Sequence, residues 1–89
     1  MKINLDVEFK FTKDVEEFIE GTIFPALKID ELNEDNIDDV TEYAASIEIF
    51  YLGSKNLPKD KKELFRMAVK AGDQLCLCIN ELNKKEENI

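Results

Sequence analysis

Residues 2–12, which read KINLDVEFKFT, determine how the fold is expected to begin. Apolar and polar side chains alternate through this stretch without a break, and the apolar ones are Ile3, Leu5, Val7, Phe9 and Phe11. Successive side chains of a β-strand point to opposite faces, so a period of two predicts a strand with one buried face.

The apolar spacing changes to three and four residues after Asp14, which predicts a helix. The apolar residues of that helix are Val15, Phe18, Ile19, Ile23, Ala26 and Leu27. Pro25 has no backbone N–H, so it is expected to end or kink the helix near Phe24. Residues 28–35 are mostly polar and predict a loop.

A second helix is predicted from about Asn36 to Leu52. Its apolar stripe consists of Ile37, Val40, Ala44, Ile47 and Tyr51. Gly53 follows it, at the position where a glycine in a left-handed conformation commonly ends a helix. Residues 46–52 are also rich in β-branched and aromatic side chains, so the alternative for that stretch is a strand.

A third helix is predicted to begin after Pro58. Its apolar positions are Leu64, Phe65, Ala68, Val69, Gly72, Leu75, Cys76, Ile79 and Leu82. Residues 75–79 are apolar throughout, so they are expected to be buried on all sides or to face a partner. Residues 83–89 are expected to form a frayed tail, and the whole chain, 1–89, a single domain.

The predicted fold class is therefore α+β and mostly α, in the order β-α-α-α. A lone strand leaves its backbone donors and acceptors unpaired. It can pair with the same strand of a second copy, add to a sheet in another protein, or pair with residues 46–52. Pairing between subunits is favoured, because two-fold dimers are the commonest oligomers. The predicted dimer contacts are Leu5, Val7, Phe9, Phe11, Leu75, Leu77 and Cys78.

The distribution of charge narrows the class of partner. A net charge of −8 disfavours direct binding to nucleic acid or to an anionic membrane, because both need a basic surface. Eight acidic residues lie between Ile29 and Ser54, where there is no lysine or arginine. The other twelve acids are matched by the twelve basic residues, so this one segment carries the whole net charge.

Five of these acids are predicted to share the outer face of the second helix: Glu34, Asp35, Asp38, Asp39 and Glu42. Helix neighbours at spacings of three and four lie about 5–6 Å apart, similar to the interval between phosphates of a nucleic-acid strand. One interpretation is a solvated face. The other is a docking surface for a protein partner with a strongly basic surface, which the acids would block against nucleic acid.

The residues that catalysis most often uses are missing. The chain has no histidine, which excludes a Ser-His or Cys-His nucleophile, and its three glycines are too far apart to form a phosphate-binding loop. A calcium loop starting at Asp30 would need an oxygen ligand and a glycine where Leu32 and Asp35 stand. Cys76 and Cys78 are expected to be buried as small hydrophobic residues. The sequence predicts no enzyme activity, no cofactor and no metal site.

The first residues lack the apolar core of a signal peptide, and no apolar run approaches the length of a membrane span, so the sequence predicts a protein of the cytoplasm, its own or a host's. In size, charge and lack of catalytic motifs, the chain resembles phage-encoded inhibitors of host defence, such as anti-CRISPR proteins. The resemblance is limited to these general features, so it assigns no function to any particular residue. The predicted function is a non-catalytic, protein-binding inhibitor of a nucleic-acid-binding or defence protein. The alternative is a homodimeric structural or assembly subunit.

Overall fold

The computed structural model describes residues 1–54 and 56–87, with only the backbone of residue 87. The described chain is mostly helical, and two very short strands pair near its beginning. The elements are, in chain order, β1 (Ile3–Asn4), α1 (Lys13–Phe18), a π-helical turn (Ile19–Ile23), α2 (Phe24–Leu27), β2 (Leu32–Asn33), α3 (Ile37–Tyr51) and α4 (Lys59–Glu87). The prediction of a mostly helical α+β fold is confirmed.

The first twelve residues keep the predicted alternation but form little sheet. Odd-numbered side chains from Met1 to Phe11 are buried or half-buried, whereas the even-numbered ones are exposed. Only Ile3 and Asn4 belong to a strand, and they pair in parallel with Leu32 and Asn33. The predicted strand over residues 2–12 is therefore wrong in length, although its facing is correct.

The strand's mate lies in the segment that was predicted to be a loop. Leu32 is fully buried, and its N–H donates to the Lys2 carbonyl at 2.9 Å. A single buried leucine among polar residues gives no alternation, which is why the pattern did not reveal β2. The strand thus finds a partner within its own chain over two residues. Pairing between subunits stays a prediction.

Residues 5–12, called here the extended segment, follow β1 and are attached to α4 by side chains. The Lys85 ammonium donates to the Asp6 carbonyl at 2.5 Å. Near the other end, the Thr12 N–H donates to the Gln74 amide oxygen, and the Gln74 amide nitrogen donates to the Thr12 hydroxyl, both at 3.0 Å. Because residue 6 meets residue 85 and residue 12 meets residue 74, this segment runs antiparallel to the second half of α4.

The α1 helix, the π-helical turn and α2 form one continuous helix, called here the N-terminal helix. Pro25 stands just after the π-helical turn, and the helix continues to Leu27. Of the two predicted outcomes, an end near Phe24 is therefore wrong, and a kink there stays a prediction. Prolines and single π-helical turns are the usual places where a helix bends, and the two are neighbours here. Lys28 then adopts a left-handed conformation with φ 58°, and the Ile29 N–H closes the helix end on the Phe24 carbonyl at 3.0 Å.

The α3 and α4 helices pack side by side and supply the rest of the core. Ala68, Ala71, Leu75 and Cys78 are fully buried and recur at spacings of three and four along α4. This spacing places them on one face, and the two alanines allow the neighbouring helix to approach closely. The other core residues are Phe11, Val15, Phe18, Ile19, Ile23, Phe24, Leu32, Ile37, Val40, Ala44, Met67 and Leu82.

Residues 46–52 do not form a strand. The α3 helix continues to Tyr51, and Leu52 then adopts an extended conformation. Gly53 has the predicted positive φ, 84°, but it lies in a turn closed by the Ser54 N–H, which donates to the Tyr51 carbonyl at 3.2 Å, and not in a left-handed helix end. The helical prediction is confirmed for this stretch. The α4 helix extends to Glu87, into the segment that was expected to fray, and residues 88 and 89 lie outside the described residues. Fraying in solution stays a prediction.

Candidate protein-binding surface

A hydrogen-bonded turn fixes the start of α3, where the acidic residues are concentrated. The Asn33 side-chain oxygen accepts from the N–H groups of Asp35 and Asn36, each at 3.0 Å. In return, the Asn36 side-chain oxygen accepts from the Asn33 N–H at 3.0 Å. Asparagine readily forms such side-chain-to-backbone turns. The turn holds Glu34 and Asp35 in place just before the helix begins.

All five predicted acids are exposed. Within residues 1–54 and 56–87, no lysine, arginine or amino terminus lies within ion-pair distance of Glu34, Asp35, Asp38, Asp39 or Glu42. Among the eight acids between Ile29 and Ser54, only Glu31 lies within ion-pair distance of a cation of the described residues, the Lys2 ammonium at 3.6 Å. Acids elsewhere are often paired, as Asp14 is with Lys70 at 2.5 Å. The negative charge of these five residues is therefore not offset by neighbours in the described chain.

The five acids do not form one helical row. Glu34 and Asp35 precede α3 and border a shallow cavity of about 350 Å³ together with Asn4, Leu5 and Asp6. The other three lie on the first two turns of α3. The prediction of a single row on one helix face is wrong, because Asn36 forms the turn before the helix and separates the first two acids from the rest.

Two cavities that share Tyr43 lie along α3, and together they are called here the groove. Their other lining residues come from the N-terminal helix, the residues just after it, and α4. At its acidic end a cavity of about 340 Å³ is lined by Leu27, Ile29, Asn36, Asp39, Glu42 and Tyr43. A second cavity of about 360 Å³ also includes Tyr43, and continues with Thr22, Ser46, Ile47, Phe50, Tyr51 and Leu64. Tyr43 thus belongs to both cavities. The groove is acidic at one end and apolar at the other.

Three large apolar side chains at the end of α3 are exposed, and one of them, Phe50, lines the second cavity and was missed as a candidate binding residue. Ile49, Phe50 and Leu52 are 70%, 76% and 67% exposed. Phe50 stacks edge-to-face on Tyr51, with their ring centroids 4.9 Å apart. The sequence signal was present, since residues 49–52 are consecutively apolar and one helix face cannot bury all of them.

The predicted dimer contacts fall into two groups. Phe11, Leu75 and Cys78 are buried in the core of their own chain, so their side chains are not available for contact with a second copy. The others remain accessible in whole or part: Leu5, Val7 and Phe9 are half-buried along the extended segment, and Leu77 is 57% exposed. A dimer contact would therefore involve the second group.

The two cysteines have different environments. Cys78 is buried in the core, and this burial raises the pKa of its thiol to about 11. Cys76 is exposed, so the expectation that both cysteines are buried is wrong. They are two residues apart on a helix and therefore lie on different faces. Among the described residues, no group of three cysteine or acidic side chains is arranged to hold a metal ion.

Comparison with known proteins gives no relative from which a function could be transferred. No family model, curated protein or solved structure matches the chain. Within the described residues, none of the helices combines the length and the apolar character that crossing a bilayer requires.

Proposed function

We propose that this chain is a non-catalytic, protein-binding domain whose acidic residues around the start of α3 dock on a strongly basic surface of another protein. The observation that carries the proposal is the exposure of Glu34, Asp35, Asp38, Asp39 and Glu42 without a cation nearby in the described chain. Basic surfaces of this kind belong above all to proteins that bind nucleic acid. Docking there would make the chain an inhibitor of a nucleic-acid-binding or host-defence protein, because it would exclude DNA or RNA from that surface.

Helix energetics support a role outside the fold for at least part of this charge. Glu42 lies four residues after Asp38 and three after Asp39, so it faces two like charges on the helix surface. Each such pair destabilises a helix by about 0.2–0.5 kcal/mol. Asp38 and Asp39 gain from the positive end of the helix dipole, but Glu42 lies beyond the first turn and gains little. A basic partner would turn this repulsion into attraction.

The proposal is tested with two variants that change the net charge equally. In the first, Asp35, Asp38 and Asp39 are each replaced by Lys. In the matched control, three other exposed acids are replaced by Lys: Glu17, Asp73 and Glu86. Circular dichroism checks that both variants fold, and a version with Asn at positions 35, 38 and 39 serves if lysines disturb the start of the helix.

The assay has two stages. The immobilised chain first captures proteins from a bacterial lysate at low salt, and each captured protein is then purified and tested for release of a fluorescent DNA or RNA duplex. We expect the captured proteins to be basic, to dissociate as salt rises, and to lose their nucleic acid when the chain binds. The proposal fails if the first variant captures the same proteins as the control, or if the nucleic acid stays bound.

A second candidate function, a homodimeric assembly subunit, is favoured by the extended segment after β1. In the described chain, the only backbone ladder in this region joins β1 to β2. The peptide groups of residues 5–10 are therefore free of strand partners there, and such an edge can pair with a second copy. Leu77 is exposed and lies one helical turn from Gln74, whose amide oxygen accepts from the Thr12 N–H.

Light scattering separates the two candidates. A dimer gives twice the monomer mass of 10.3 kDa at micromolar concentrations, and either Phe9→Asp or Leu77→Asp returns it to the monomer mass. Ile49→Asp, at an exposed apolar position on α3, is the control and leaves a dimer intact. A monomer mass throughout the concentration range rejects this candidate.

A further inference from the structure

We propose that the groove along α3 binds one amphipathic helix of the partner protein, with lysine or arginine at one end and an aromatic or aliphatic anchor at the other. This inference rests on the proposed function and identifies which part of the partner is recognised. The proposed site consists of the groove together with the acidic residues at one of its ends.

The apolar end of the groove has the character of an anchor site. Phe50 is 76% exposed, and it borders the cavity together with Ile47, Tyr51 and Leu64. Aromatic residues in such settings are the usual source of binding energy, because they bury a large apolar area at a small cost in conformational entropy. An apolar partner side chain entering here would cover Phe50.

The acidic end of the groove selects the charge of the occupant. Asp39 and Glu42 border the first cavity over an apolar floor formed by Leu27 and Ile29. No lysine or arginine lines either cavity in the part of the chain that the structure describes. A partner helix with acidic residues at this end would be repelled, whereas lysine or arginine would be attracted, with their aliphatic stems on the floor.

The length of the groove sets the spacing within the partner. Asp39 and Phe50 are eleven residues apart on α3, which corresponds to about 16 Å at a rise of about 1.5 Å per residue. A helix lying along the groove would span it with about three turns. The basic residues and the apolar anchor of the partner are therefore expected about eight to eleven positions apart.

The test is a selection of binding peptides from a random library of 18-residue peptides displayed on phage, with the full chain as the target. We expect enriched peptides to combine basic residues with an apolar anchor at the stated spacing. Enriched peptides are then synthesised, and their affinity is measured for the wild-type chain and for variants.

Two neighbouring positions provide a matched pair of variants. Phe50→Ser removes the anchor contact and is expected to weaken peptide binding at least about tenfold, the size typical of a binding hot spot. Ile49→Ser changes a side chain that is 70% exposed but does not line the groove, and is expected to leave the affinity within about twofold. Both positions are exposed, so neither change removes core packing.

The outcomes separate this inference from the proposed function. Loss of binding with Phe50→Ser and with Glu42→Lys, but not with Ile49→Ser, supports both. Peptides that lose binding with Glu42→Lys and keep it with Phe50→Ser overturn the groove and leave the acidic docking surface standing. Enriched peptides without basic residues, or no enrichment at all, overturn the groove as a site for a basic helix.

Discussion

Replacing Glu42 by lysine is expected to stabilise the fold while it weakens binding. In the described chain, Glu42 has no cation within ion-pair distance and faces Asp38 and Asp39 on the same helix. The change replaces two repulsions by two attractions. With about 0.2–0.5 kcal/mol for each like or unlike pair, the free energy of unfolding should rise by about 0.8–2 kcal/mol.

Solvent exposure and salt reduce this gain, so a value of about 1 kcal/mol at low ionic strength is expected. For a domain of this size, a gain of about 1 kcal/mol corresponds to a rise in the melting temperature of about 4–8 °C. The orientation is favourable, because an acid four residues before a lysine is the better order along a helix. Urea unfolding followed by circular dichroism at 20 mM and 500 mM salt measures the effect.

Glu81→Lys is the matched control, because it makes the same chemical change on the other long helix. The Glu81 carboxylate lies 3.4 Å from the Lys84 ammonium, and Lys85 is four residues ahead of it. This variant is expected to lose about 1 kcal/mol, since attraction becomes repulsion. The reasoning is refuted if Glu42→Lys destabilises the chain at low salt, because Glu42 would then have a favourable contact of its own.

Further predictions concern the core, the helix ends and the thiols. Leu75→Ala should reduce the free energy of unfolding by about 3–5 kcal/mol in urea titrations, and Leu77→Ala by less than about 0.5, because only Leu75 is fully buried. Lys28→Gly should raise the melting temperature, because the left-handed conformation strains a lysine by about 1 kcal/mol and a glycine hardly at all. Lys70 and Thr12 lower the pKa of Asp14 to about 2. Its stabilising effect is therefore present above its unfolded pKa of 3.8 and is lost as the pH falls through about 2, so Asp14→Asn should lower the free energy of unfolding at pH 7 and differ little from the wild type below pH 2. Finally, a thiol reagent at pH 8 should modify Cys76 within minutes and Cys78 only on unfolding, as mass spectrometry of Cys76→Ser and Cys78→Ser would show.

The helices could be predicted because their apolar residues recur at regular spacing. The stripe from Ile37 to Tyr51 stays in phase for four turns, and it correctly outweighed the β-forming residues near its end. The positive φ of Gly53 was predictable for a similar local reason, since the glycine follows the end of the stripe. Local periodicity fixes which residues face the core.

The predictions that were wrong concern features that depend on contacts between distant parts of the chain. Alternation in residues 2–12 indicates one buried face, and packing against α4 buries that face as well as a sheet would. No local pattern could show that Lys85 and Gln74 hold this segment or that Leu32 pairs with Ile3. For the same reason, the sequence suggested the acidic residues but not the groove, whose lining residues come from the N-terminal helix, α3 and α4.

The most direct test of the central claim compares the affinity of one captured partner for two variants of equal charge. The first carries Asn at Asp35, Asp38 and Asp39, and the second carries Asn or Gln at three exposed acids outside this surface: Glu17, Asp73 and Glu86. Calorimetry at 50 mM salt should show the first binding more than about tenfold more weakly than the second, and the gap should narrow at 500 mM salt. Equal affinities for the two variants would contradict the claim that the acidic residues at the start of α3 form the binding surface.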